Sequence, residues 1–112
     1  MKTNILKRNE DFNKIIKEGK RNNNSHFIVY SLPSLSFVRE DFNIGISVGK
    51  KIGNAPVRNK QKRIVRDIVR KLAKENLIPN KQFVIISKSV CIKSDYELQY
   101  SKLKEIFKKE RA

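Results

Sequence analysis

Residues 42–74, FNIGISVGKKIGNAPVRNKQKRIVRDIVRKLAK, contain the strand and the helix that decide the fold. Residues 42–49 alternate between apolar and small or polar side chains, which predicts a strand with one buried face. Further along, apolar residues recur at intervals of three and four, which is typical of an amphipathic helix. Asn54 is a suitable N-cap and Pro56 is tolerated in a first helical turn. The spacing therefore predicts a strand followed by a helix over residues 55–75.

The rest of the chain supplies further helices and strands around this pair. Asn9 as N-cap and Gly19 as terminator bound a first helix, and Ser94 opens a capping box before a last helix. The polar run at residues 20–25 predicts a turn. The other expected elements are a helix at 10–18, strands at 26–32 and 81–87, and a short extended piece at 36–38. The order αβββαβα predicts an α+β fold with helices packed on one sheet.

Length and charge restrict the class of protein. A chain of 112 residues fits one domain, residues 1–112. Its 26 Lys and Arg residues against 11 Asp and Glu residues give a formal net charge of +15. Small soluble domains usually lie about 2–8 charges from neutrality, so this excess predicts a polyanionic partner, a nucleic acid.

The sequence offers little for a membrane or for redox chemistry. No apolar run approaches the ~20 residues that span a bilayer, and the first residues carry no apolar signal segment. We therefore expect a cytoplasmic protein without a membrane partner. Cys91 is the only cysteine, so it has no internal disulfide partner, and we expect no disulfide-linked partner either; it is predicted to be a buried residue near a strand end.

Most of the charge lies between residues 50 and 74, which contain ten basic residues and a single acid, Asp67. Helical geometry places the apolar residues of this segment on one half of the helix. A narrow stripe on the other half contains Asn59, Arg63, Arg66, Arg70 and Lys74. A solvated surface helix would usually interleave acids with its cations. Because only Asp67 interrupts the stripe, it is better explained as a surface for phosphate groups, which arginine binds through two parallel hydrogen bonds.

Residues 50–63, KKIGNAPVRNKQKR, resemble the protein component of bacterial ribonuclease P. That family has a Lys-Lys, Gly-Asn-Ala, Arg-Asn-Arg and Lys-Arg succession at this spacing. The stretches at residues 7–12, KRNEDF, and at residues 27–30, FIVY, match it as well. The order and spacing of elements fit the family across nearly the whole chain, and together the three motifs are specific for it.

The resemblance implies a fold, a reaction and partners. The fold would be a mixed four-stranded sheet with a left-handed β-α-β crossover, as in one domain of a small-subunit ribosomal protein. The partners would be the ribonuclease P RNA and precursor tRNA, whose 5′ leader is removed to leave the mature 5′ end. The RNA would perform the cleavage with Mg²⁺, and no protein motif would bind a metal.

The same resemblance assigns residues to two binding surfaces. The helix at 55–75 and the loop before it would contact the catalytic RNA, through Lys50, Lys51, Asn54, Arg58, Asn59, Lys60, Lys62, Arg63, Arg66 and Arg70. A leader cleft between the first helix and the sheet would hold the single-stranded 5′ leader, through Phe12, Ile16, Phe27, Val29 and Tyr30.

The chain departs from the family pattern at two of these positions. Lys60 replaces the usual second arginine, which keeps the charge and loses the planar fork. Ile16 stands where many members have an aromatic residue, so stacking of leader bases is expected to be weaker there.

No arrangement of residues predicts catalysis by the protein itself. The acids are scattered, and the single histidine, His26, has no evident partner and is expected at a strand edge. We therefore predict no catalytic residue in this chain. From the residues alone, a structural binder of ribosomal RNA without a role in processing, a stand-alone nuclease and a DNA-binding protein stay open as alternatives.

Overall fold

The protein is built around one mixed β-sheet. The computed structural model describes residues 3–5, 15–33, 42–78 and 81–111. The strands are β1 (Thr3–Ile5), β2 (Lys20–Asn23), β3 (Phe27–Pro33), β4 (Phe42–Val48) and β5 (Lys81–Ser87). The helices are α1 (residues 15–18), α2 (Ala55–Lys74) and α3 (Tyr96–Arg111), with short 3-10 helices η1 (Lys50–Ile52) and η2 (Ser89–Lys93).

The strands lie in the order β1-β4-β5-β3-β2. β4 is parallel to both β1 and β5, whereas β3 is antiparallel to β5 and β2. The α+β class and the expected mixed four-stranded sheet are confirmed as β4-β5-β3-β2, and the three-residue β1 extends that sheet by a fifth strand. β4 and β5 are parallel neighbours connected through α2, so they form a β-α-β unit. The left-handed sense of this crossover stays a prediction from the resemblance.

β2 is the element that the sequence pattern misassigned. Its residues KRNN were predicted to be part of a turn, because no apolar residue recurs among them. In the structure they pair antiparallel with β3, and Arg21 lies opposite Tyr30. Backbone hydrogen bonds hold such an edge strand, and charged side chains on it are common because they prevent further pairing. The predicted extended piece at 36–38 and the helix start at 10–14 lie outside the described residues.

α1 ends at Gly19, as the sequence predicted. The Gly19 N–H donates to the Ile15 carbonyl at 2.8 Å, which closes the last turn. A Cβ atom at this position would lie 2.4 Å from the Ile15 carbonyl oxygen and 2.7 Å from that of Ser31 on β3. The chain can therefore pass this close to β3 only with glycine at residue 19.

α2 and α3 cover one face of the sheet and form the main core with it. The Phe83 and Phe107 rings meet edge to face at 5.0 Å and 82°, which joins β5 to α3. The fully buried residues of this cluster come from both helices and from alternate positions of β3, β4 and β5: Phe27, Val29, Ile44, Val65, Ile68, Val69, Leu72, Phe83, Ile85, Leu103, Ile106 and Phe107. Val84 is also buried but lies outside this cluster, and its position between Phe83 and Ile85 on β5 places it on the opposite face of the sheet. Ile15 of α1 is buried outside the cluster as well.

Candidate nucleic-acid interface

α2 is built so that its two sides have different chemistry. The Asn54 side chain accepts the Val57 N–H at 3.2 Å, and a proline follows in the first turn, so the helix begins where predicted. It ends at Lys74, one residue before the predicted Glu75, and Asn76 adopts a left-handed φ of 58°. The predicted apolar half is confirmed: Val65, Ile68, Val69 and Leu72 are buried, and Ile64 and Ala73 pack against the core.

The opposite side of α2 presents the basic stripe to solvent. Asn59, Arg63, Arg70 and Lys74 are exposed, and Arg66 is half-buried. At about 1.5 Å of rise per residue, the stripe from Asn59 to Lys74 is roughly 22 Å long. We call the four cations of this row, Arg63, Arg66, Arg70 and Lys74, the cation stripe.

The cation stripe has no internal counter-charge in the described part of the chain. The one ion pair between described residues is Glu105–Lys109, at 4.0 Å on α3. Asp67, the single acid of α2, lines a groove together with Tyr96 of α3 and Arg63. Burial, together with Asp67, raises the pKa of the Tyr96 hydroxyl to about 12. Asp67 thus interacts with Tyr96 of α3, and among the described residues it forms no ion pair with the cation stripe.

Part of the stripe surrounds a depression in the surface. Pro56, Asn59, Lys62, Arg63 and Arg66 line it. The Nε atom of Arg66 is buried and finds no acceptor among the described residues, and the same holds for Arg58. Three cations and an amide converging on one concave surface can bind phosphate oxygens.

The loop before α2 adds positive charge at the same end of the helix. Lys50 and Lys51 are exposed on η1, and the first turn of α2 contains no acid. A helix N-terminus itself carries a partial positive charge, so three sources of positive potential coincide here. Asn54 is exposed as well, but its carboxamide oxygen is occupied by the cap.

The ten predicted RNA-binding residues are thus all accessible to some degree. Lys50, Lys51, Asn54, Asn59, Lys60, Arg63 and Arg70 are exposed, and Arg58, Lys62 and Arg66 are half-buried. Lys60 lies beside the stripe. It lines a groove between α2 and the start of α3 that also contains Arg63, Ile64 and Tyr96.

The predicted leader cleft needs a correction. Phe27 and Val29 have no exposed surface and belong to the core beneath α2 and α3, so they are unavailable to a ligand. The reason is the two-residue period of a strand: Tyr30 and Ile28 point to the opposite face of β3, where both are half-buried. Ile28 shares this face with Tyr30, as its even spacing from Tyr30 along the strand indicates. Ile16 is exposed on α1, and Phe12 lies outside the described residues.

His26 also differs from its prediction. It is buried, and its ring nitrogens contact two hydroxyl groups: Nδ1 lies 2.8 Å from Ser25 Oγ and Nε2 lies 2.8 Å from Ser94 Oγ. Desolvation, with a smaller contribution from Lys102, lowers the pKa of His26 below 6.5. The residue therefore links β3 to the segment before α3, which is a structural role.

Cys91 is buried as predicted, although it lies in η2 and not at a strand end. Its Sγ donates to the His26 carbonyl at 3.2 Å, and burial raises the pKa of the thiol to about 11. It is therefore a protonated thiol at neutral pH.

In the described ranges, no three side chains of His, Cys, Asp or Glu lie close enough to hold a metal ion together. None of the helices in those ranges has the length and apolar character that a membrane crossing requires.

Comparison with known proteins agrees with the geometry. A family model described as Ribonuclease P matches residues 1–111. The ribonuclease P protein component of Bacillus cereus (strain B4264) is 40% identical over 104 residues, covering 93% of this chain and 88% of the relative. That of Bacillus anthracis (strain CDC 684) is 39% identical over 104 residues, covering 93% and 85%.

Solved structures give the same result. The ribonuclease P protein of Staphylococcus aureus superposes with a TM-score of 0.82 at 31% identity, covering 96% of this chain and 94% of that one. That of Thermotoga maritima gives 0.81 at 31% identity, covering 93% and 94%.

Fold and surface together define a small basic α+β protein that binds RNA. The chain belongs to the ribonuclease P protein family. It is a subunit of the ribonuclease P holoenzyme, the endoribonuclease that matures the 5′ end of tRNA, in which catalysis is by RNA.

Proposed function

We propose that the outer side of α2, together with η1, binds the catalytic RNA of ribonuclease P. The observation that carries this proposal is the cation stripe, which has no carboxylate partner among the described residues. Unpaired guanidinium groups on a rigid helix are already positioned for phosphate oxygens, so little side-chain entropy is lost on binding. Neutralising phosphates also releases bound counterions, so affinity should fall steeply with salt concentration.

The leader of precursor tRNA is assigned to the opposite face of the sheet. Tyr30 and Ile28 lie on that face, and α1 carries Ile16 before the chain enters β2. Because α2 packs on one face and Tyr30 lies on the other, one small domain can contact the catalytic RNA and the substrate at the same time. This bridging would hold the leader near the RNA active site and so favour precursor over mature tRNA.

Mg²⁺ is assigned to the RNA, and the protein acts on it indirectly. Lysine and arginine side chains reduce repulsion between the catalytic RNA and the precursor, which lowers the Mg²⁺ concentration that their complex needs. The cytoplasm is the compartment in which these RNA partners are expected. Among the functions open from the residues alone, the family assignment favours this one over a ribosomal binder, a stand-alone nuclease or a DNA-binding protein.

A cleavage assay tests the proposal as a whole. Catalytic RNA and precursor tRNA are incubated at low Mg²⁺ and moderate salt, with and without the protein. We expect faster release of the leader when the protein is present and no cleavage by the protein alone. An unchanged rate with the protein present would reject the proposal.

The leader assignment has its own test. Tyr30→Ala should reduce the preference of the holoenzyme for precursor over mature tRNA by about tenfold, since a stacked base is worth roughly 1–3 kcal/mol. Tyr100→Ala is the control, because Tyr100 is an equally half-buried tyrosine that lies on α3. Equal preference for precursor in both variants would contradict the assignment.

A further inference from the structure

A cleft separates the first half of α2 from η2, beside the cation stripe. Its volume is about 180 Å³, and its apolar walls are the side chains of Val57, Ile64 and Ile92. An apolar protein cavity of roughly 150 Å³ is known to hold benzene, so this cleft has room for one aromatic ring. We call it the α2–η2 cleft.

Two buried glutamines line this cleft, and their contacts fix which way each carboxamide points. Gln99 Nε2 donates to the carbonyls of Cys91 at 3.1 Å and of Ser94 at 3.2 Å. Both partners are acceptors only, so the group facing them must be the NH₂ of Gln99. Gln99 Oε1 is then the acceptor that faces Gln61, at 2.7 Å from Gln61 Nε2. The same Gln61 NH₂ donates to Ser87 Oγ at 3.2 Å.

The carboxamide oxygen of Gln61 takes no part in this hydrogen-bond network. Both N–H groups of Gln61 are used, whereas its Oε1 accepts no hydrogen bond from any residue that the structure describes. The residue is only 2% exposed, and it lines the α2–η2 cleft. Gln61 Oε1 is not among the buried side-chain atoms without a partner, which in the described residues are Arg58 Nε and Arg66 Nε, so solvent reaches this oxygen. A ligand in the cleft that supplies an N–H would replace water at this acceptor.

The surroundings of the cleft favour a nucleotide as the source of that N–H. Lys60 lies at the cleft and also lines the neighbouring groove, which contains Arg63 of the cation stripe. A ring between the apolar walls would thus have cations beside it for its own phosphate. A carboxylate ligand would face the unused oxygen of Gln61, which repels it. RNA-binding proteins commonly read unpaired bases through hydrogen bonds to their Watson–Crick edges.

We propose that the α2–η2 cleft binds one unpaired nucleobase with an exocyclic amine, which donates a hydrogen bond to Gln61 Oε1. The base belongs to the RNA that the cation stripe holds, so this inference rests on the proposed function. The cleft would contact a base, whereas the cation stripe contacts the phosphate backbone. Backbone contacts fix position, whereas base contacts select sequence.

A matched pair of substitutions on η2 tests the proposal. Ile92 and Val90 are 40% and 39% exposed and lie two residues apart, but only Ile92 lines the cleft. Ile92→Asp and Val90→Asp change the net charge equally, so any difference between them reports on the cleft. Ribonuclease P RNA is the probe. We expect Ile92→Asp to bind it about tenfold more weakly than Val90→Asp, which equals about 1.4 kcal/mol.

Chemical probing of the same complexes identifies the base. Dimethyl sulfate reports on adenine and cytosine, and kethoxal reports on guanine. We expect one unpaired base to be protected by the wild-type protein and by Val90→Asp, and to become reactive with Ile92→Asp. Equal affinities and identical protection for the two variants would overturn the cleft assignment while leaving the proposed function intact. Failure of the wild-type protein to bind this RNA would instead refute the proposed function and the cleft with it.

Discussion

α2 and α3 pack on the same face of the sheet and bury similar apolar stripes, yet their outer sides differ. α2 carries eight basic residues and one acid, and that acid lies in a groove with Tyr96 of α3. α3 mixes signs along its length, with Glu97, Glu105 and Glu110 among its cations, and Glu105 pairs with Lys109. Both helices meet the same requirement for burial, so the fold does not explain the difference.

The difference between the two helices indicates what the charge on α2 is for. Solubility would be served by mixed charges, as on α3, with less repulsion between like charges. A row of unpaired arginines destabilises the free protein slightly and is useful only where a polyanion binds. The comparison therefore predicts that RNA contacts α2 strongly and the outer side of α3 weakly.

The largest effect is expected from shortening the cation stripe. Arg63→Ala combined with Arg66→Ala should weaken binding of the catalytic RNA by about 100-fold, because a hydrogen bond to a charged group contributes roughly 1.5–3 kcal/mol. The slope of log affinity against log salt should become shallower by about two. Both quantities come from filter binding or fluorescence titration over a range of salt concentrations.

The matched control removes two cations from α3. Lys108→Ala with Lys109→Ala changes the net charge by the same amount at exposed positions. We expect only a few-fold loss of affinity from long-range attraction. A loss as large as that of the α2 pair would mean that total charge, and not the stripe, governs binding.

The next effect concerns the buried hydrogen bond between Gln61 of α2 and Gln99 of α3. Gln99→Leu removes the donor to the Cys91 and Ser94 carbonyls and the acceptor of Gln61. The free energy of unfolding should fall by about 1–3 kcal/mol, which urea denaturation measures. Gln82→Leu, at a half-buried position of β5, should change it little. If Gln99→Leu is equally tolerated, the glutamine network does not join α2 to α3.

A pH effect should follow from the burial of His26. Burial, with Lys102 adding to it, lowers the pKa of His26, so near that pKa the folded protein binds fewer protons than the unfolded chain. Stability should therefore be constant above about pH 6.5 and fall as the pH drops below it. Urea denaturation at about pH 7.5 and about pH 5.5 measures this, with His26→Asn as the variant that should lose the dependence. If the stability of His26→Asn depends on pH in the same way as that of the wild-type protein, His26 is not the residue that causes the dependence.

The smallest effect is expected at the single acid of α2. Asp67→Asn should strengthen RNA binding only a few-fold, because the carboxylate is exposed and faces Tyr96. It should also lower the pKa of Tyr96 from about 12, since Asp67 contributes to raising it. Ultraviolet titration of the tyrosines records the second change. An unchanged Tyr96 titration would show that Asp67 does not interact with that hydroxyl.

Patterns with a period along one element could be predicted from the sequence. The apolar half of α2, its Asn54 cap and the Gly19 terminus follow from local spacing, and the structure confirms them. The strand period also separates Phe27 and Val29, which are buried in the core, from Tyr30 on the opposite face of β3.

Features that depend on distant residues could not be predicted in this way. β2 is a strand because β3 lies beside it, and its own residues carry no apolar pattern. Gln61 and Gln99 are 38 positions apart, and polar residues on helices are usually exposed, so nothing local marks them as a buried pair. The contact between His26 and Ser94 joins residues 68 positions apart, so no local sequence pattern predicts it either.

Lysine acetylation read by mass spectrometry, with and without the catalytic RNA, tests the central claim most directly. Lys60, Lys62 and Lys74 report on α2, and Lys104, Lys108 and Lys109 report on α3. We predict that the RNA protects the α2 lysines and leaves those of α3 reactive. Equal protection of both helices, or protection of α3 alone, would contradict the assignment of the RNA to the outer side of α2.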